Sequence, residues 1–320
     1  MKRVMVLVAL LLVVGATALA QVPAGVGSAA FARLGVDARA LAMGGAYVAV
    51  PADQPIPFYN PASLATARDV DIAALYAQPF GAGSGVSYQH IGAVMPLQVQ
   101  TDSVKGLGVG VSWMGVQISG IYIWDEDDPA SGTEFTAASS IYMASVGYEL
   151  IDGFSVGATA KLYQERILKG RGDGLGVDVG FLARATLGGI PVAIGLNSMD
   201  VGRTLVKWSG TAGEPDNYVA WVNKVGISAV FAEINAQVAT DFDWAVGRPG
   251  REQVFRVGVE WSPVKLLALR GGWRTDLEGQ SSAVSGGVGL RLFNAMEFDY
   301  AYTGGIGLNA THFVSMHIWF

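Results

Sequence analysis

The stretch His312-Phe313-Val314-Ser315-Met316-His317-Ile318-Trp319-Phe320 alternates without interruption and sets Val314, Met316, Ile318 and Phe320 on one face. A period of two is that of an extended chain, whose successive side chains point to opposite faces. An apolar residue at every second position, up to an aromatic last residue, leaves no polar tail. Soluble domains rarely finish in this way, so the reading expects a strand with lipid on one side.

The other end agrees. Lys2-Arg3 precedes the apolar run Val4 to Val14 and the small-residue stretch Ala16-Thr17-Ala18-Leu19-Ala20. This order of basic, apolar and small residues predicts a secretory signal peptide over 1–20, because the apolar run is shorter than the ~20 residues a membrane-spanning helix needs. Without Lys2 and Arg3 the chain has 19 basic and 27 acidic residues, a formal charge of −8. That balance points away from nucleic acid as a partner.

The composition is 51% hydrophobic and only 15% charged, with a mean hydropathy of +0.36, yet no second run long enough for a spanning helix occurs. The apolar residues are instead dispersed in alternation with polar ones. A transmembrane β-barrel distributes them so, with lipid outside and water inside. Forty-three glycines argue against helices, where each costs about 1 kcal/mol relative to Ala, and in strands they mark tight packing or curvature. The absence of cysteine excludes disulfides and thiolate metal sites.

From residue 71 onward the alternation divides into about fourteen segments, beginning at 71–78, 86–97, 107–117 and 139–150, including 217–230 and closing at 310–320. The clearest is 174–186, where Leu175, Val177, Val179, Phe181 and Ala183 alternate with Gly176, Asp178, Gly180, Leu182 and Arg184. Connections sort into tight turns such as Ile151-Asp152-Gly153 and Leu187-Gly188-Gly189, and longer stretches such as Ser119 to Ala138 and Met199 to Asp216. An even-stranded barrel with short periplasmic turns and long outer loops predicts this parity. The fold class is therefore all-β, a transmembrane antiparallel β-barrel of about 14 strands over 71–320. Residues 21–70 lack the alternation and need a separate account.

In that segment Asp37 is a candidate N-cap for one or two helical turns that stop at Gly44-Gly45. Asn60-Pro61 is a turn signal, and Pro61 is also suited to start a short helix. The run Arg39-Ala40-Leu41-Ala42-Met43-Gly44-Gly45-Ala46, with Asp53 and Asn60-Pro61-Ala62 before the first strand, resembles the FadL-type outer-membrane family and, more closely, its PorV/PorQ-like branch. The resemblance implies a 14-strand barrel with residues 21–70 folded into it as a hatch, for which Arg39, Met43, Gly44, Gly45, Asp53, Asn60, Pro61 and Ala62 form the motif. A periplasmic extension that only caps the barrel is the plainer alternative. Burial of Leu41, Met43, Tyr47, Ile56 and Phe58, at about 1.5–3 kcal/mol for each large side chain, favours the lumen.

Charges opposite the apolar faces have only a lumen to occupy: Lys161, Asp178, Arg184, Lys224, Asp241, Arg256, Glu260, Arg270, Arg291, Glu297 and Asp299. An Arg or Lys facing lipid near the midplane costs about 2–4 kcal/mol. These residues form either a cross-strand ion-pair network that stiffens the wall or a docking patch for an anionic head group. The tryptophans at 113, 124, 221, 244, 261, 273 and 319, with Tyr300 and Tyr302, fall mostly near strand ends, as interfacial girdles do.

No catalytic residue is assigned and no enzyme activity expected. Ser315 and His317 share a side of the last strand but have no evident orienting partner, and no phosphate loop follows from Gly172-x-Gly174-x-Gly176, which opens a strand. The acidic run Trp124 to Asp128 lacks the spacing of a calcium loop, so neither metal nor cofactor is expected. The resemblance implies an exported protein of the bacterial outer membrane, whose terminal Phe320 is read by the barrel insertion machinery. It implies contact with outer-membrane lipids and transport of small hydrophobic, fatty-acid-like compounds past the hatch. Partnership with a secretion or surface-attachment system for secreted proteins is the alternative, as is a structural envelope role.

Overall fold

The alternation becomes backbone pairing in the computed structural model, which describes residues 28–320 apart from 53, 82, 98–105, 124–131, 211–215, 247–252, 278–281 and 306–307. Its strands are β1 (Asp71–Ala77), β2 (Val86–Pro96), β3 (Leu107–Ile123), β4 (Thr133–Ile151), β5 (Phe154–Ile167), β6 (Gly170–Leu187), β7 (Ile190–Met199) and β8 (Thr204–Ser209). They continue as β9 (Asp216–Val219), β10 (Val222–Phe231), β11 (Ala236–Ala245), β12 (Val254–Val264), β13 (Leu267–Asp276), β14 (Ser282–Leu292), β15 (Met296–Gly305) and β16 (Leu308–Trp319). Fourteen of them close a barrel in which each is antiparallel to its neighbours. The seam is β1 against β16, in register from Asp71↔Trp319 to Ala77↔Phe313.

The remaining two strands, β8 and β9, are a hairpin outside the closed ring. β7 pairs with the lower part of β6, and β8 takes its place beside Arg171–Gly174 of β6 above it. The sequence segment 217–230 is thus two strands, β9 and β10, because the chain turns at Ala220-Trp221 from the hairpin into the next stave. A four-residue strand is too short for its periodicity to mark that break.

Connections at the end where β1 begins and β16 finishes, the termini end, are short at 152–153, 188–189, 232–235, 265–266 and 293–295. At the opposite, loop end they are long at 124–132, 200–221 and 246–253. Three connections depart from the expected parity. The β2 to β3 link at the termini end spans 97–106, the β5 to β6 link at the loop end is only 168–169, and the β15 to β16 link at the loop end is only 306–307. In the second case the length has moved into the strands. β3 to β6 have 17, 19, 14 and 18 residues and rise as a tall wall, whereas β10 to β15 have ten or eleven.

The outer face is apolar and uncovered: Leu175 is 78% exposed, and Val111, Val146, Ile194, Ile227, Val284 and Val314 are likewise exposed. Water would not tolerate so large a continuous apolar surface, whereas lipid matches it. The core lies inside the barrel and is contributed largely by residues 28–70. Val36, Ala38, Ala40, Ala42, Met43 and Ala46 are buried there, with Tyr47, Ile56, Phe58 and Leu64.

Candidate functional site: the seat of the amino-terminal segment

The segment folds locally as its residues direct. The Asp37 side chain caps a short helix α1 (Ala38–Ala42) by accepting from the Ala40 amide at 3.0 Å, and Gly44 and Gly45 end it at φ 70° and 79°. Asn60 caps a 3-10 turn (Pro61–Thr66), accepting from the Ala62 amide at 3.0 Å with Pro61 at its first position. Met43 and Tyr47 are buried with these turns, and Leu41 is half-buried. Asp53 lies outside the described residues.

A belt of glycine makes room for this backbone. Gly108, Gly147, Gly157 and Gly180 sit directly opposite one another across β3, β4, β5 and β6. A β-carbon at these positions would overlap Leu64, Pro61, Ala62 or Asn60 of the segment. On the far wall Gly258 and Gly272 are paired across β12 and β13, and β-carbons there would overlap Met43 and Gly44. Much of the glycine content therefore serves close approach of two backbones rather than turns.

Between the glycines, lumen side chains bond the segment's backbone. Asp241 accepts from the amides of Tyr47 and Val48 at 2.7 and 3.0 Å. Ser285 accepts from Gly44 N and donates to Ala42 O, both at 3.0 Å. Ser228 donates to Ala49 O, Asn197 to Tyr59 O, and Tyr88 to Gly35 O. Asn60 donates to Val48 O and to Phe181 O of the wall, both at 2.9 Å. At the loop-end side Glu165 accepts from the Ala29 amide at 2.8 Å.

Charged clusters complete the seat. Arg39 binds Glu260 bidentately, at 2.7 and 2.8 Å. Glu260 also accepts from Arg270 at 2.6 Å, and Arg270 donates further to Glu297 at 2.6 Å and to Asp299. Arg291 adds a 2.9 Å bond to Glu297, so three guanidinium groups face three carboxylates and the charges balance. Burial disfavours the charge of Arg39, but Glu260 outweighs that and holds its pKa above the ordinary value. Each nitrogen of Arg270 donates to a carboxylate, and the side chain is fully buried, out of reach of an added anion.

Three other groups of charges line the lumen. Lys161 bridges Asp178 and Asp200 at 2.8 and 3.1 Å, and Asp200 also accepts from Tyr163 and Thr204. Lys224 and Arg256 share Asp243. Arg184 pairs with Glu149 at 2.7 Å nearer the termini end. The sequence reading missed Glu149, Glu165, Asp200 and Asp243 as partners. Apart from Asp200, which follows β7, they occupy the inward phase of their strands, the one signal that could have found them.

A missed feature of another kind is the bridge at the barrel seam. His317 on β16 lies 2.9 Å from Asp71 of β1 through Nδ1 and 2.7 Å from Asp37 through Nε2. Burial pushes the Asp37 carboxyl up, but the hydrogen bond and charge of His317 prevail and hold it at about 2. Both ring nitrogens are engaged by carboxylates, and Ser315 accepts instead from the Ala38 amide at 3.1 Å. The expectation that His317 lacks an orienting partner is thus corrected: two carboxylates hold it, and neither ring nitrogen faces Ser315.

Toward the loop end the lumen wall changes character. Tyr88, Met114, Ile141, Met143 and Tyr163, from the inward faces of β2 to β5, are buried with Val206 of β8 in an apolar cluster. Phe31 and Leu34, from the 3-10 turn Ala30–Leu34, pack against it, with Phe31 edge-on to Tyr88 at 6.4 Å.

The sequence matches no protein-family model and no curated protein, but the fold has clear counterparts among solved structures. One is the CymD monoaromatic hydrocarbon channel, with a TM-score of 0.61 and 12% identity over 90% of this chain and 98% of that one. Another is the toluene transporter TodX of Pseudomonas putida, with a TM-score of 0.58 and 13% identity over 89% of this chain and 98% of that one. The class is thereby defined as a closed 14-strand antiparallel barrel with a short helical amino-terminal segment, structurally similar to the FadL-family channels.

Proposed function

We propose that the protein is an outer-membrane channel for small hydrophobic compounds, gated by residues 21–70 as a hatch. The termini end faces the periplasm and the loop end the outside. The observation that carries this is the apolar cluster of Tyr88, Met114, Ile141, Met143, Tyr163 and Val206 on the loop-end side of the charged seat. Phe31 and Leu34 of the segment pack over this lining, so a compound from outside reaches it when the segment shifts. The fold shared with a monoaromatic hydrocarbon channel and a toluene transporter supports the same reading. In it the lumen charges hold the hatch, residues 1–20 are removed on export, and Phe320 is presented to the insertion machinery.

Uptake of radiolabelled toluene and decanoate into vesicles carrying the purified full barrel tests the proposal. Met114→Asp and Ile141→Asp are expected to reduce uptake at least tenfold without loss of the folded band on unheated gels. Uptake of glucose at the rate of toluene, or variants as active as the parent, would overturn it. The PorV/PorQ-like alternative rests on the Arg39 to Ala46 motif. It would be favoured by stoichiometric co-purification of an exported protein together with uptake that ignores the apolar cluster.

A further inference from the structure

The outer face of the strands is poor in cations, with one concentrated exception. Among the described strands, Lys161, Arg184, Lys224, Arg256, Arg270, Arg274 and Arg291 take the inward phase. Only Arg166, Arg171 and Lys207 take the outward one. These three are neighbours. Arg166 is directly opposite Arg171 across β5 and β6, Lys207 of β8 is opposite Asp173, and Lys169 lies in the turn beside them. All four cations are exposed.

Two acids share the face with the four: Asp173, and Asp216, which is opposite Lys207 across β8 and β9. Asp173 is engaged bidentately by Arg171 at 2.8 and 3.1 Å, and among the described residues Arg166 and Lys169 have no acidic partner, so cations remain in excess. Like charges directly opposite on a sheet repel, so the patch is arranged for an anion from outside the chain.

Its height identifies that anion. Below the patch, on the same outward face, Leu162 and Leu175 are paired across β5 and β6, with Val177 beneath, all exposed. Further down, Phe154 and Phe181 stack at 6.5 Å near the termini end. Phe181 to Arg171 is roughly 33 Å along the strand, or about 25 Å of height at a tilt near 40°, the span of a barrel's apolar band. The cations therefore stand where the outer leaflet's head groups begin, above a surface that takes acyl chains.

We infer that Arg166, Lys169, Arg171 and Lys207 form a docking site for phosphate groups on the glycolipid head groups of the outer leaflet. Arginine takes phosphate oxygens bidentately and lysine adds compact charge. The inference rests on the reading that the barrel spans the outer membrane.

The test uses the full barrel in neutral detergent with bisphosphorylated lipid A, or the same lipid stripped of phosphate, and counts bound lipid by native mass spectrometry. The parent is expected to retain the phosphorylated form at least tenfold better. The combined variant Arg166→Gln, Lys169→Gln, Lys207→Gln should lose that preference, while Lys265→Gln at the opposite end keeps it. Equal retention of both lipids, an unaffected triple variant, or equal binding of a soluble anionic polysaccharide would overturn the site. Insertion into neutral phosphatidylcholine vesicles is scored on the same preparation. Failure to insert would overturn the membrane reading and the site with it; insertion without phosphate preference would overturn the site alone.

Discussion

Asp37 shows how much a single residue joins in this molecule. Its carboxylate caps α1 through the Ala40 amide and reaches His317 on the last strand, which in turn holds Asp71 on the first. The N-cap was legible, because Asp before an alanine-rich turn that ends in Gly-Gly is a local signal. The bridge was not, since Asp37 and His317 stand 280 residues apart. With its pKa held at about 2 against an ordinary 3.8, Asp37 contributes stability that is complete above about pH 4 and lost as pH falls toward 2. Hydrogen exchange at the Ala40 and Leu41 amides, corrected for intrinsic rate, should therefore show strong protection at pH 5 and weakened protection at pH 2.5. Asp37→Asn should show the weakened value at both; wild-type protection that does not change with pH would refute the argument.

At the scale of the element, periodicity predicted most of what was found. Alternation places Leu175, Val177 and Phe181 outward and Asp178 and Gly180 inward on β6, as the register confirms. The hairpin of β8 and β9 and the tall wall of β3 to β6 were not legible, because strand length above the membrane is set by pairing rather than by alternation. Glycine carried two meanings that sequence alone does not separate. Gly271 and Gly272 are neighbours on β13, yet a β-carbon on Gly271 meets open space, whereas one on Gly272 would overlap Gly44 and the end of Met43. Gly271→Ala should shift stability by less than about 0.5 kcal/mol. Gly272→Ala should unseat α1 and expose residues 38–45 to protease in an otherwise heat-modifiable barrel. Equal protease resistance in the two variants would remove the close-approach explanation.

For the whole molecule, the wall and the segment are held together by polar side chains spread around the circumference, from Tyr88 on β2 to His317 on β16. The resemblance anticipated a segment inside the barrel, and the structure supplies its fastening. Burying paired charges contributes little net stability, but leaving one member unpaired costs about 3–5 kcal/mol, so the balanced clusters favour a single seating over slipped ones. Deletion of residues 28–60 should still give an inserted barrel, because water entering the lumen can rehydrate Glu260, Asp241 and Asp71. Its conductance in planar bilayers should exceed that of the full chain severalfold. An unchanged current would mean that the segment is not what closes the lumen.

By itself the sequence determined the barrel, its number of staves and the alternation of two faces along each strand. All of these follow from a two-residue period read one strand at a time. Tertiary structure alone decided which charges meet, which glycines admit another backbone and where the four outward cations gather. Those depend on register between strands and on contacts between residues far apart in the chain, and a local pattern carries no record of either.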